Sequence, residues 1–147
     1  MIRVYTDGSA LGNGTTGCIA GIGVWFGEDD PRNVSEKLQG NKQSNGRAEL
    51  MAAIIALEKT IGQDVEILSD STYVINSATT WIEGWKKRGW RKAGNKPVEN
   101  LDLIKRLDQL IREAQGNRQI VWTWVKGHSG IRGNEEADRL ADLGCYL

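Results

Sequence analysis

The sequence of 147 residues has only two cysteines, one histidine and no excess of charge of either sign. Cys18 and Cys145 have no partner at CxxC spacing and no neighbouring histidine, which excludes a zinc site and predicts two reduced thiols. No run of about eighteen apolar residues and no charged-then-apolar leader is present. We therefore expect no membrane insertion, a cytoplasmic location and a single domain over residues 1–147.

Charge is distributed unevenly along the chain. The 19 basic and 19 acidic side chains balance, so the total gives no indication of a nucleic-acid partner. Residues 86–96, KKRGWRKAGNK, nevertheless contain no acid, and we call them the basic segment. Trp81, Trp85 and Trp90 lie in or beside it. Cations interleaved with aromatic rings favour binding to a phosphate backbone, whereas core packing accounts for one or two of the rings.

Two hydrophobic periods divide the chain into strands and helices. Alternating or β-branched segments predict strands at residues 2–5, 18–26, 34–38, 65–68 and 120–125. A turn-rich stretch from Asp7 separates the first strand from the second, so the chain begins as a meander. Three- and four-residue apolar steps predict helices at 44–60, 71–85 and 101–114. A last helix is expected after Asn134.

The helices carry further local signals. The 101–114 helix is amphipathic, and its pattern places Asp108 on the solvent face. Asn134 is expected to cap the last helix, after a loop that contains several glycines. Strands that alternate with helices after a meander predict an α/β protein, with a mixed sheet and helices on both faces.

Four acidic residues depart from a simple surface pattern. Asp7 and Asp70 each follow an apolar strand, and adjacent strands would bring them together at one edge of the sheet. Glu49 lies among apolar helical residues, so it points to the rim or meets a cation. Asp138 borders the apolar face of the last helix. These oxygen ligands fit Mg²⁺ or Mn²⁺, although ordinary solvated carboxylates remain the alternative.

Small polar residues and the single histidine complete the candidate site. His128 lies in a glycine-bearing loop after a strand, where a mobile imidazole suits proton transfer or product release, with an ordinary loop residue as the alternative. Asn13, Ser44 and Asn45 lie near the carboxylates in the sequence pattern. They suit contacts to the 2′-hydroxyls of RNA in a shallow minor groove, or plain turn and capping roles.

Five motifs occur in one order: YTDGS at 5–9, NGRAEL at 45–50, SDS at 69–71, WKKRGW at 85–90, and GHSG with GNEEAD at 127–138. Together they resemble the catalytic domain of type 1 ribonuclease H over essentially the whole chain. The resemblance implies a ribonuclease H-like α/β fold with a five-stranded mixed sheet in order 3-2-1-4-5, flanked by helices on both faces. It implies an endonuclease that cuts the RNA strand of RNA–DNA hybrids and leaves 5′-phosphate and 3′-hydroxyl ends.

The same resemblance implies roles for individual residues. Asp7, Glu49, Asp70 and Asp138 would be catalytic and hold two Mg²⁺ ions, with Mn²⁺ as a substitute, and His128 would be the mobile catalytic histidine. The implied substrate-binding residues are Ser44, Tyr73, Trp81, Trp85, Lys86, Lys87, Lys92 and Asn100. Among these, Tyr73 and Trp81 would line a channel for the DNA strand, and Ser44 with Asn100 a pocket for a DNA phosphate. The expected partner is an RNA–DNA hybrid, bound by a monomer without an obligate protein partner.

One position departs from the family pattern, and two other functions compete with this one. The family usually carries an amide side chain where Gly46 stands, so affinity or cleavage-site preference is expected to differ. An integrase-like strand transferase or an exonuclease on the same fold is one alternative, which the histidine loop and the basic segment disfavour. A catalytically silent binding module is the other, which the presence of all four carboxylates and His128 disfavours.

Overall fold

Five strands form one mixed sheet in the computed structural model, which describes residues 1–147. They are β1 (Ile2–Leu11), β2 (Ile19–Trp25), β3 (Val34–Lys37), β4 (Val65–Ser69) and β5 (Ile120–Trp124). The order is β3-β2-β1-β4-β5, with β1/β2 and β2/β3 antiparallel and β1/β4 and β4/β5 parallel. The predicted fold class and strand order are confirmed.

The chain also forms five α-helices. They are α1 (Asn45–Glu58), α2 (Thr72–Asn76), α3 (Ile82–Lys87), α4 (Leu101–Ala114) and α5 (Arg132–Gly144). A π-helical turn, Ser77–Trp81, joins α2 to α3, so the helix predicted from residue 71 is interrupted. None of the helices has the length and apolar character needed to cross a bilayer.

Apolar residues alternate with glycines along β2, and this pattern explains why helices cover both faces of the sheet. Ala20, Ile22 and Val24 are buried in the main hydrophobic core together with residues of α1 and α4. Gly21 and Gly23 alternate with them, and a Cβ atom at either position would collide with the backbone of α5. The two glycines thus allow α5 to lie directly on the opposite face of the sheet.

Strand β1 is longer than the sequence pattern predicts. The turn-rich stretch expected from Asp7 is strand as far as Leu11, because residues 5–11 pair with β2 in antiparallel register. Pairing with β4 ends earlier, at Thr6 opposite Ser69. Small residues in this half of the strand pack against helices on both faces, so partner strands and close helices override the local turn preference.

The predicted orientation of Asp108 was wrong. The residue is only 4% exposed, although its position on the amphipathic pattern of α4 places it outside. Lys86 and Arg112 both form ion pairs with its carboxylate, and these pairs compensate the cost of burial. The cation from α3 is distant in the chain, so helical periodicity alone could not reveal this contact.

Candidate active site

Three carboxylates converge at one edge of the sheet. Asp7, Glu49 and Asp70 each offer an oxygen, and these oxygens all lie within 4.8 Å of one another. In the parallel pairing of β1 and β4, Thr6 lies opposite Ser69. The residues that follow them, Asp7 and Asp70, are therefore side by side. This edge is formed by the carboxyl ends of β1's parallel portion and of β4, as the sequence pattern suggested.

Glu49 reaches the cluster from the first half of α1. The close packing of α1 on β1 depends on Gly8, because a Cβ atom there would lie 2.5 Å from the backbone nitrogen of Glu49. The side-chain amide of Asn45 donates to Oε1 of Glu49 at 3.0 Å, from the preceding helical turn. Glu49 is partly buried among other acids, where a bound cation would compensate its charge.

Asp138 lies beside Asp7. It is partly buried on α5, and its carboxyl group is within hydrogen-bonding range of the Asp7 carboxyl. Gly133 allows α5 to approach β1 this closely, because any side chain there would collide with the ring of Tyr5. The four predicted metal ligands therefore lie in one neighbourhood, three of them within mutual reach and Asp138 against Asp7.

The cluster is costly to ionise without a compensating cation. Burial, the charge of Asp70, a hydrogen bond with Asp138 and the charge of Glu49 raise the pKa of Asp7 to about 9. Burial also raises the pKa of Glu49 above its ordinary value. A divalent cation would favour the ionised forms. All donors are hard oxygen atoms, so the set fits Mg²⁺ or Mn²⁺.

Asn134 belongs to this site, and its predicted role as a helix cap was wrong. The helix begins at Arg132, because the carbonyl of Ile131 already accepts from the N–H of Glu135. Asn134 is therefore inside α5 and only 2% exposed, and its Nδ2 donates to Oδ2 of Asp70 at 3.3 Å. Its position four residues before Asp138 on one helix is the signal that could have revealed it.

His128 lies in the loop between β5 and α5. The side chain is exposed, and the backbone has a φ of +55°, in the left-handed region. The preceding residue, Gly127, lies against the cluster, since a Cβ atom there would be 2.8 Å from Oδ2 of Asp70. The histidine therefore directly follows a residue that lies against the carboxylates, but it does not join their group of converging oxygens.

The small polar residues near the cluster organise the start of α1. Ser44 caps the helix by accepting from the N–H of Arg47 at 3.1 Å. Asn13 accepts from the backbone N–H of Asn45 at 3.1 Å, which links the β1–β2 connection to the same helix end. Capping is therefore observed for Ser44, while contacts of these residues with RNA stay a prediction.

Three aromatic rings form a continuous group along α2, the π-helical turn and α3. The ring centroids of Tyr73 and Trp81 lie 6.4 Å apart, and those of Trp81 and Trp85 lie 5.9 Å apart. Trp81 is 40% exposed, whereas Trp85 is 8% exposed and belongs to the core. Asn100 donates to the hydroxyl of Tyr73 at 3.1 Å, so the start of α4 meets the end of this group.

The cations of the basic segment differ in their surroundings. Lys86 is held by Asp108 at 3.3 Å, and Lys92 lies 3.2 Å from exposed Glu99. Lys87 is exposed and forms no ion pair. An open groove of about 910 Å³ lies beside the segment and is lined by Lys42, Ser44, Lys92, Lys96 and Asn100, among others. The groove brings two predicted phosphate-binding residues, Ser44 and Asn100, together with three lysines.

Comparison with known proteins identifies the family. A model of the RNase H family matches residues 1–146. The chain belongs to the RNase H family. Membership accounts for the strand order, for the acidic residues at the end of β4 and on α1, and for the motif order that the sequence shows.

Two ribonuclease H relatives and one RNase H structure show how far the likeness extends. The chain is 51% identical over 142 residues to ribonuclease H of Schizosaccharomyces pombe. The alignment covers 97% of this chain and 52% of that protein. It is 44% identical over 146 residues to ribonuclease H of Ruthia magnifica, and that alignment covers 97% of this chain and 93% of the relative. The chain thus spans about half the length of the first relative.

The structural comparison agrees. The crystal structure of LC9-RNase H1, described as a type 1 RNase H with the type 2 active-site motif, has a TM-score of 0.74 and 32% identity. The alignment covers 98% of this chain and 71% of that one. The fold is therefore shared along the chain, in agreement with the resemblance to type 1 enzymes.

Proposed function

We propose that this RNase H domain is a metal-dependent endonuclease that hydrolyses the RNA strand of RNA–DNA hybrids. The observation that carries the proposal is the convergence of Asp7, Glu49 and Asp70 oxygens within 4.8 Å, in a chain that matches the RNase H family from residue 1 to 146. The names of the relatives, ribonuclease H in both cases, support the same activity.

Asp7, Glu49, Asp70 and Asp138 would hold two Mg²⁺ ions, with Mn²⁺ as a substitute. When bound, the ions would supply an activated water and charge for the leaving oxygen, which yields 5′-phosphate and 3′-hydroxyl ends. The protein holds Asp70 in place through Asn134 and Glu49 through Asn45. His128, exposed on its loop, would transfer a proton to or from the leaving group through its imidazole, or help to release the product.

Substrate binding would use the aromatic group, the open groove and the polar residues at the start of α1. Tyr73, Trp81 and Trp85 would receive the DNA strand, and Ser44 and Asn100 a DNA phosphate at the open groove. Asn13 and Asn45 would face 2′-hydroxyls beside the cleaved bond. Lys86, Lys87 and Lys92 would add sequence-independent attraction to phosphates, which makes affinity strongly dependent on salt.

The decisive experiment offers the purified protein three labelled substrates of one sequence: an RNA–DNA hybrid, duplex DNA and duplex RNA. Mg²⁺ or a chelator is added to each. We expect cutting of the RNA strand of the hybrid alone, and none with chelator. Preferential cutting of duplex DNA would instead support a strand transferase or exonuclease, and hybrid binding without cutting would support a silent binding module.

The choice between Mg²⁺ and Mn²⁺, a monomeric state and a cytoplasmic location stay predictions from the sequence. Sedimentation of the purified protein, with and without hybrid, measures whether it is a monomer. Titration of activity with each ion separately measures the metal preference.

A further inference from the structure

An exposed tryptophan lies at the end of the edge strand next to the carboxylates. Trp124 is the last residue of β5 and is 50% exposed. It pairs with Ser69, the residue directly before Asp70. Neighbouring strands are about 4.8 Å apart, so Trp124 is one strand spacing from the site.

The indole is fixed to the backbone of a candidate metal ligand. Its Nε1 donates to the carbonyl oxygen of Asp70 at 3.2 Å. The only polar atom of the ring is therefore satisfied within the protein, which leaves its apolar carbon atoms for contact with a ligand. The next residue, Val125, donates its N–H to the carbonyl of Ser69 at 2.9 Å, which holds the strand end against β4.

A free cation lies two residues further along the chain. Lys126 is exposed, forms no ion pair, and begins the loop that carries His128. An aromatic face beside an unpaired cation matches the chemistry of a sugar next to a phosphate.

The position of Trp124 indicates which nucleic-acid strand it would contact. The proposed substrate contacts through α1, α2, α3 and the start of α4 leave β5 unused, although β5 flanks the carboxylates directly. The strand whose phosphate lies at the carboxylates must continue past them in both directions. A residue one strand spacing away from Asp70 would therefore face the cleaved strand within a nucleotide or two of the cut.

We propose that Trp124 and Lys126 form a contact for the RNA strand of the bound hybrid, next to the scissile phosphate. The indole face lies against a ribose, and the ammonium group pairs with a neighbouring phosphate. This inference rests on the proposed function, since it names a contact for the same substrate. It makes Trp124 a substrate-binding residue and leaves the chemical step to the carboxylates.

The test measures binding of a labelled RNA–DNA hybrid in the presence of chelator, together with kcat and KM in Mg²⁺. We expect Trp124→Ala to weaken hybrid binding about tenfold and to raise KM by a similar factor, with kcat changed less than about twofold. Tyr146→Ala is the matched control. It removes a 74% exposed aromatic ring just after α5, near β3 and thus at the opposite edge of the sheet, and should bind like the unsubstituted protein.

A second variant separates the ring from its hydrogen bond. Trp124→Phe keeps an aromatic face but loses the donor to Asp70, and we expect its hybrid affinity to stay within about threefold of the original. If Trp124 acted only by positioning Asp70, Phe and Ala would be equally weak and Mn²⁺ affinity, measured by calorimetry, would fall in both. That pattern would overturn the proposal, whereas unchanged Mn²⁺ affinity in both variants supports it.

Salt dependence tests the cation independently. Lys126→Ala should reduce the slope of log affinity against log salt by about 0.9, the value for one phosphate contact on duplex DNA, whereas Trp124→Ala should leave the slope unchanged. Lys59→Ala, at the far end of α1, is the control for an exposed lysine. Wild-type cleavage of the hybrid, with Trp124→Ala binding as tightly as wild type, would refute this contact and leave the proposed function intact. A wild-type protein that ignores hybrids would refute both.

Discussion

The Lys86 ammonium group lies 3.3 Å from Oδ1 of Asp108, whose side chain is only 6% exposed. The other carboxylate oxygen of Asp108 accepts from Nε of Arg112 at 3.0 Å. Lys86 lies in the last turn of α3, at the start of the basic segment, and Asp108 belongs to α4. This ion pair therefore ties the first cation of the basic segment to the body of the protein.

Two adjacent lysines should consequently behave differently. Lys86→Ala should lower the free energy of unfolding by about 1 kcal/mol, because Asp108 stays buried with Arg112 as its only partner. Lys87→Ala removes an exposed lysine without an ion pair, so stability should stay within about 0.5 kcal/mol of the original. Urea unfolding measures both. Equal loss of stability in the two variants would contradict a structural role specific to Lys86.

Asp70→Asn should abolish cleavage and leave hybrid binding in chelator unchanged. The amide keeps the size of the side chain but removes the charge that would hold a divalent cation, while the basic segment is untouched. Asp29→Asn makes the same chemical change at an exposed turn with a φ of +57°, a conformation that asparagine tolerates. It should cleave normally. Turnover retained in Asp70→Asn would remove this residue from the mechanism.

The stability of the metal-free protein should fall as pH rises. Asp7 has a pKa near 3.8 when unfolded and about 9 when folded, so between these values the unfolded chain releases a proton that the folded protein keeps. The stabilisation is complete below about pH 4 and is lost progressively up to pH 9. Chemical unfolding across this range measures it.

Two controls identify Asp7 as the source of the pH effect. Asp7→Asn cannot ionise, so the decline with pH should be much smaller than in the original protein. Added Mg²⁺ should stabilise the original protein more at pH 8 than at pH 5, since cation and proton compete for the same oxygens. A decline that persists unchanged in Asp7→Asn would assign it to other groups.

Arg118 should be important for stability although it lies far from the carboxylates. Its guanidinium group donates to the carbonyls of Leu57 at 3.1 Å and Thr60 at 2.6 Å, which closes the C-terminal end of α1. Arg118→Ala should cost about 2 kcal/mol in urea unfolding. Arg118→Lys should recover less than half, because one ammonium group cannot match the paired donors.

An exposed arginine provides the comparison for that measurement. Arg106 lies 2.8 Å from Glu58, and both side chains are substantially exposed. Arg106→Ala should cost less than about 1 kcal/mol, as is usual for surface ion pairs. Equal costs at the two positions would show that the cap on α1 adds nothing beyond a surface charge.

Gly46→Gln should strengthen hybrid binding. A Cβ atom at this position would lie 3.4 Å from Cε2 of Tyr73, an ordinary contact distance, so the helix can accept a side chain. One added hydrogen bond from the amide corresponds to about fivefold in affinity. Gly46→Ala controls for helix propensity, since it should stabilise α1 without improving binding. Equal affinity in the two variants would exclude the amide contact.

Much of the fold could be predicted from two features of the sequence: the local periodicity of apolar residues and the order of the motifs. Apolar periodicity indicates α1 and α4, and the resemblance to a family supplies the strand order that no local signal contains. The length of β1 escaped prediction because Gly8 and Ser9 favour turns on their own. Their strand conformation depends on β2, which pairs with them across the sheet.

Sequence alone determined which side chains were present: four well-placed acids, one histidine in a loop and a segment of cations without an acid. Only the tertiary structure decided their partners. Asn134 meets Asp70, and Asp108 is buried against Lys86, because each contact joins elements that are far apart in the chain. The free-energy cost of burying a carboxylate, and its ability to hold a cation, depend on the charges and the solvent around it. Tertiary packing sets both.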